Sequence, residues 1–279
     1  MKLQWYPGHM TKAVRQMNED LKLIDLVIEI VDARIPVSGR NPDLDRMAQN
    51  KARMIILNKA DLADPAITKL WVSHFKELGI ETVAMEARTK NGMSEVKKSI
   101  DIACKEKKER DLKRGIKNRP VRAMIVGIPN VGKSTFINSF SGKSVTKTGN
   151  KPGVTKGKQW IRLSKDVELL DTPGVLWPKF EDEAIGTHLA MIGSISENVY
   201  IETELAAEII NFFKENDPGL LDERYGVSAD SDTAGILTEI AVSRGCIKQG
   251  SEPDLEKAAK LINDEFKNGV IGRISIERP

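Results

Sequence analysis

Apolar residues recur along this chain in two rhythms, and the change from one to the other divides it. Met10, Val14, Met17, Leu21 and Ile24 fall at helical spacing after a Pro-Gly pair, which predicts an amphipathic helix at the start. Short β-branched runs follow: "DLVIEIVDA" (Asp25–Ala33), "RMIIL" (Arg53–Leu57) and "IETVAM" (Ile80–Met85), separated by helix-like stretches. Such alternation predicts an α/β domain built on a mainly parallel sheet with helices on both faces. A fourth run, "VRAMIVG" (Val121–Gly127), precedes another helical stretch, and "WIRLSKDVELLDTPG" (Trp160–Gly174) reads as two strands around a turn at Ser164–Asp166. Beyond Pro178 the period-two runs stop. "ELAAEIINFFKEN", "TAGILTEIAVSRG" and "DLEKAAKLINDEF" carry only helical periodicity, so an all-helical domain is expected over 183–279 after an α/β domain over 1–182.

Charge sharpens that division. The net charge of the whole chain is only +3, yet residues 1–182 carry 34 basic against 22 acidic side chains and residues 183–279 carry 9 against 18. The first part suits a polyanionic partner, whereas the second would need a local basic stripe. Lys257 and Lys260, with Arg244, Lys248 and Arg273 nearby in sequence, form one candidate stripe; a scattered solvated surface is the other reading. The segment Lys105–Arg119 is charged throughout and reads either as a helix tail with a solvated linker or as an RNA patch. Cys104 and Cys246 have no CxxC or Cys/His companion, which argues against a disulfide framework or a zinc site. With no apolar core for a signal peptide near the start and no run approaching the roughly 18 apolar residues of a span, a cytoplasmic protein without membrane contact is expected.

Candidate chemistry lies at the ends of the predicted strands. "GIPNVGKS" (Gly127–Ser134) follows a strand and precedes a helix, the context a phosphate-binding loop needs. Its glycines let backbone wrap phosphates, Asn130, Val131, Gly132 and Thr135 line the same loop, Lys133 neutralises β/γ oxygens and Ser134 offers a magnesium ligand. "DTPG" supplies Asp171 as a magnesium-linked carboxylate and Gly174 as a γ-phosphate sensor, while Thr155, in "KPGVTKG", stands where a mobile magnesium and γ-phosphate ligand belongs. "NKAD" closes a strand. Asp61 there can accept from the N1–H and exocyclic amine of guanine, a donor pair adenine lacks; Lys59 can cover the base with its stem, and Asn58 can tie this loop to the phosphate loop. "EARTKNG" after the next strand keeps only Ala87 of the Ser-Ala-Lys loop of GTPases. GTP or GDP with Mg2+ is the expected ligand set.

The order is unusual, because the base-reading motif precedes the phosphate loop. A nucleotide senses where loops lie in space, and chain order decides only how strands are connected, so a circularly permuted sheet can keep the same site.

With "VDARIPVSGRNP", "NKAD", "GIPNVGKS", "KPGVT" and "DTPGVLWPKFED" in this order, the chain resembles circularly permuted GTPases. "QWYPGHM" at the start and "ERYG", "RGCIKQG" and "GRISIE" near the end narrow the resemblance to the YlqF/RbgA proteins, bacterial GTPases of late large-subunit ribosome assembly. The resemblance covers essentially the whole chain. It implies a permuted P-loop GTPase domain, a second domain that is an all-helical RNA-binding module, and a large-subunit precursor and 23S rRNA as partners; a monomer is the separate expectation. Where many GTPases have a water-orienting Gln after the switch glycine, this chain has Val175, and the resemblance puts forward His9 in its place. The local sequence equally allows "PGH" to be a helix start. Asn130 matches an Asn that ligates K+ in similar GTPases, although an Asn stabilising a tight turn fits the same position. Two other functions remain open at this stage: a GTP-dependent RNA-binding scaffold with negligible turnover, and a GTPase acting on tRNA or another RNA.

Overall fold

The computed structural model describes residues 17–143, 160–170 and 183–279. Those residues form two compact units. One comprises residues 17–170 together with residues 275–279, and the other runs from 183 to 274. Residues 275–279 group with the α/β unit, not with the helices that precede them in the chain. The last five residues carry no helical period of their own, and they pack on the α/β unit instead.

Six strands build the first unit: β1 (Leu26–Asp32), β2 (Ala52–Asn58), β3 (Glu81–Ala84), β4 (Val121–Val126), β5 (Trp160–Arg162) and β6 (Val167–Leu170). Their order across the sheet is β3-β2-β1-β4-β6-β5, parallel except for the antiparallel β5–β6 pair at one edge. Central strands of a parallel sheet are covered on both faces, and β1 is buried at all seven positions, as its largely apolar run demands. Glu29 alone interrupts that run. It accepts from Arg40 Nε (2.9 Å) and from the backbone N–H of Asn41 (3.2 Å), which anchors the start of helix α1 (Pro42–Met47).

Helix α2 (Pro65–Glu77) begins at an Asp64 cap that accepts from the N–H groups of Ala66 and Ile67, with Pro65 in the first turn where its missing donor costs nothing. Trp71 and Phe75 of this helix pack with Val31, Ile55 and Leu57. Met17, Leu21 and Ile24 pack with Val27, Met124 and Leu170, so the expected N-terminal helical face is present over residues 17–21; Met10 and Val14 lie outside the described residues. Helices α3 (Met93–Ala103), α4 (Lys105–Lys113) and α5 (Lys133–Ser141) complete this unit. The charged segment is thus helical as far as Lys113 and non-helical from there to Arg119, and one of its lysines is not solvated. Lys107 is buried between Asp111 (3.0 Å) and Asp25 (3.5 Å), and Asp25 also accepts from the backbone N–H of Arg122, tying α4 to the start of β4.

The second unit contains α6 (Glu183–Met191), α7 (Glu202–Asn216), α8 (Gly219–Tyr225), α9 (Thr233–Ser243) and α10 (Leu255–Lys267), with no strand among its described residues. Leu205, Ile209, Phe213, Ile240, Ile262 and Phe266 are all buried, and Phe213 and Phe266 meet edge to face at 5.8 Å. Among the described residues, no helix is long and apolar enough to cross a membrane.

Candidate nucleotide-binding site

Parallel strands deliver their following loops to one edge of the sheet, and here that edge gathers the motif residues. β1 lies between β4 and β2, with Asp32 opposite Asn58 and Leu57 opposite Ala84 in the register. "NKAD" therefore leaves β2, "EARTKNG" leaves β3 and the phosphate loop leaves β4 on the same side. The reversed motif order changes the connections only.

Asn58 joins all three loops. Its Nδ2 donates to the Val131 carbonyl in the phosphate loop (2.6 Å), and its Oδ1 accepts from the Ala87 backbone N–H (3.0 Å). Ser139 Oγ on α5 donates to the Ala87 carbonyl (2.6 Å), closing the triangle. Asn58 is nearly fully buried, so these bonds are made away from water. Gly132 is required by the same contact: a Cβ there would sit 2.4 Å from Asn58 Nδ2, and its φ of +96° is one that side chains resist. At Gly127 a Cβ would come within 2.4 Å of the Ile30 carbonyl oxygen, so the loop can leave β4 this close to β1 only with glycine.

Lys133 opens α5 and folds back over the loop. Its Nζ donates to the carbonyls of Gly127 (2.8 Å) and Ile128 (2.6 Å), and burial pushes its pKa down to about 8. An ammonium desolvated in this way is poised for an anion, whose arrival would restore the charged form. Ser134 and Thr135 stand in the first turn of α5, beside Asn130, which adopts φ +60°.

The base-reading end has its own signature. One carboxylate oxygen of Asp61, Oδ1, is buried with no hydrogen-bond partner among the described residues. A buried acceptor of this kind is costly unless a ligand supplies the donor, and guanine carries two donors side by side. Lys59, at φ +56°, directs its Nζ to Asp32 Oδ2 at 3.1 Å. Burial acts to raise the Asp32 pKa, but the Arg34 guanidinium and the Lys59 ammonium outweigh it and hold the carboxyl at about 2.

The structure thus brings together Asn58, Lys59, Asp61, Ala87, Asn130, Val131, Gly132, Lys133, Ser134 and Thr135. His9, Thr155, Asp171, Gly174 and Val175 lie outside the described residues. Sequence reasoning gave no role to Asp32, Arg34 or Ser139. The "VDAR" signal was in view, but a charged pair at a strand end ordinarily reads as solvated surface, and nothing local marked Ser139.

Comparison with known proteins agrees with this geometry. Residues 122–220 match the family described as 50S ribosome-binding GTPase. Ribosome biogenesis GTPase A of Bacillus cereus is 44% identical over 280 aligned residues, which span 100% of this chain and 95% of that protein. A GDP-bound structure of YlqF superposes with a TM-score of 0.71 at 29% identity, covering 95% of this chain and 99% of that one. A GNP-bound structure of YlqF from T. maritima gives 0.70 at 30% identity, with coverage of 96% and 98%.

Proposed function

Since the chain belongs to the ribosome biogenesis GTPase A family, we propose that this GTPase binds a precursor of the large ribosomal subunit through 23S rRNA and hydrolyses GTP during late assembly. It acts in the cytoplasm, as a monomer, in this reading. The observation that carries the nucleotide half is the buried Asp61 carboxylate oxygen, without a partner among the described residues, at the edge where Asn58 joins the phosphate loop.

The residues divide the work. Asp61 accepts from guanine N1–H and the exocyclic amine, while Asn58 fixes the distance between the base loop and the phosphate loop. Lys133 turns from its loop carbonyls toward the β and γ oxygens. Asn130, Val131, Gly132 and Thr135 cradle the phosphates, and Ala87 backs the base. Ser134, Thr155 and Asp171 are hard oxygen donors, the chemistry Mg2+ prefers, and the ion would neutralise charge between the phosphates. Asn130 is in addition the residue for a K+ beside them. Gly174 offers its N–H to the γ-phosphate. His9 orients the attacking water, a task the hydrophobic Val175 cannot perform.

The direct test of the substrate is GTP turnover measured alone and with large subunits, small subunits or tRNA. Stimulation by large subunits alone is the expected result. Equal indifference to all three would overturn the assignment, and stimulation by tRNA alone would redirect it.

A further inference from the structure

Three residues near the end of the chain, Ser275, Ile276 and Glu277, bond segments on either side of the base-reading loop in sequence, from Arg34–Ser38 to Asp64 and Trp71. The backbone N–H groups of Ile276 and Glu277 both donate to the Arg34 carbonyl (2.9 and 3.2 Å). The Glu277 carboxylate accepts from the N–H groups of Val37 (2.6 Å) and Ser38 (3.0 Å) and from the Ser38 hydroxyl, a cluster of donors that suits an anion. The Glu277 carbonyl accepts from Trp71 Nε1 (3.1 Å), and Ser275 Oγ accepts from the N–H of Asp64 (3.2 Å), three residues past Asp61.

From Arg34 the chain of contacts continues inward. Its Nε and one terminal nitrogen bond the two Asp32 oxygens at 2.9 Å each, and Asp32 holds Lys59 at 3.1 Å. The Ala33 N–H also donates to the Asn58 carbonyl (2.8 Å). Arg34 and Asp32 are 1% and 0% exposed. A charge pair buried this completely gains little stability over apolar packing, so its value lies in where it holds other groups. Lys59 needs such holding, because its φ of +56° is unfavourable for a lysine.

We propose that the tail Ser275–Glu277 positions the guanine-reading loop, acting through Arg34 and Asp32 on Lys59 and through Ser275 on Asp64, and is thereby a specificity element of the nucleotide site. The proposal rests on Asp61 as the guanine reader. None of the tail residues touches the ligand. They are positioning residues, and their loss should blur base recognition while leaving phosphate binding intact.

The experiment compares GDP, IDP and ADP affinities of full-length wild type, Glu277→Ala and Ser275→Ala, with melting temperatures alongside. IDP keeps guanine's N1–H but lacks the exocyclic amine, so the IDP-to-GDP ratio reads how well Asp61 is aimed. For Glu277→Ala we expect GDP affinity to fall about 3- to 10-fold with ADP affinity unchanged, so that the preference for GDP narrows, the scale of one displaced polar contact. Glu277→Gln, which keeps one acceptor oxygen, should recover part of the preference. Ser275→Ala, a milder change that removes only the tie to Asp64, should narrow it about 2- to 3-fold. Unchanged ratios, or an equal loss for all three nucleotides, would overturn the proposal while leaving Asp61 as the base reader. A wild type that binds GDP, IDP and ADP alike would instead refute the Asp61 reading, and the tail's role with it.

Discussion

Removing the Asn58 side chain is the perturbation whose size follows most directly from the geometry. Asn58→Ala deletes the 2.6 Å bond to Val131 and the 3.0 Å bond from Ala87, and both partners are buried, so neither gains a water in exchange. A buried backbone group left unpaired costs about 1–3 kcal/mol, and two of them give roughly 2–4 kcal/mol after local relaxation. In a unit of this size that corresponds to a melting shift of roughly 5–15 °C. Trp71 and Trp160 both belong to the α/β unit, and their fluorescence during urea unfolding reports on it. Asn58→Asp supplies a control of nearly equal shape. It keeps the acceptor for Ala87 but turns an oxygen toward the Val131 carbonyl, and it should destabilise at least as much as alanine. An Asn58→Ala protein within about 0.5 kcal/mol of wild type, the range of ordinary surface changes, would refute the reading of Asn58 as the joint of three loops.

Two further outcomes follow. With Lys133 at about 8 in the free protein and bound phosphates favouring its charged form, GDP affinity should be level below pH 8 and fall as pH rises above it, by up to about tenfold per unit. Calorimetry in buffers of different ionisation enthalpy should show proton uptake on binding near pH 8.5, and a Lys133→Arg protein should lose that uptake. His9→Ala should leave GTP affinity nearly unchanged and lower turnover on large subunits by about 10- to 1,000-fold, because a water-orienting group acts in the transition state. Wild-type turnover by that variant would reduce His9 to a helix-start residue.

The sheet was legible because each strand is a short apolar run bounded by polar turns. β1, β2 and β4 appear within a residue or two of where hydrophobicity put them. The phosphate loop and "NKAD" were legible for a different reason: glycine, lysine and aspartate at fixed spacing after a strand have few other uses. What escaped were contacts between residues far apart whose local surroundings look ordinary. Lys107 sits in a run of charge that reads as solvated, yet it is buried because Asp25 and Asp111 converge on it. Glu277 belongs to a short C-terminal segment with no period, and only folding brings it to Val37 and Ser38. Asp32 and Arg34 were visible as letters but not as a buried pair, since nothing in their local sequence shows that both are enclosed.

Nucleotide exchange at Asp61 tests most directly whether this permuted chain builds a guanine-specific site. Asp61→Asn replaces an acceptor-only carboxylate with an amide whose donor faces guanine's donors but matches the carbonyl that xanthine carries instead of the amine. Competitive binding of GTP, XTP and ATP to wild type and variant should show GTP weakened about 100-fold in the variant, the scale of two mismatched buried contacts, with XTP gaining and ATP unmoved. Equal affinities of the wild type for GTP and ATP, or a variant that keeps its preference for GTP, would contradict the account.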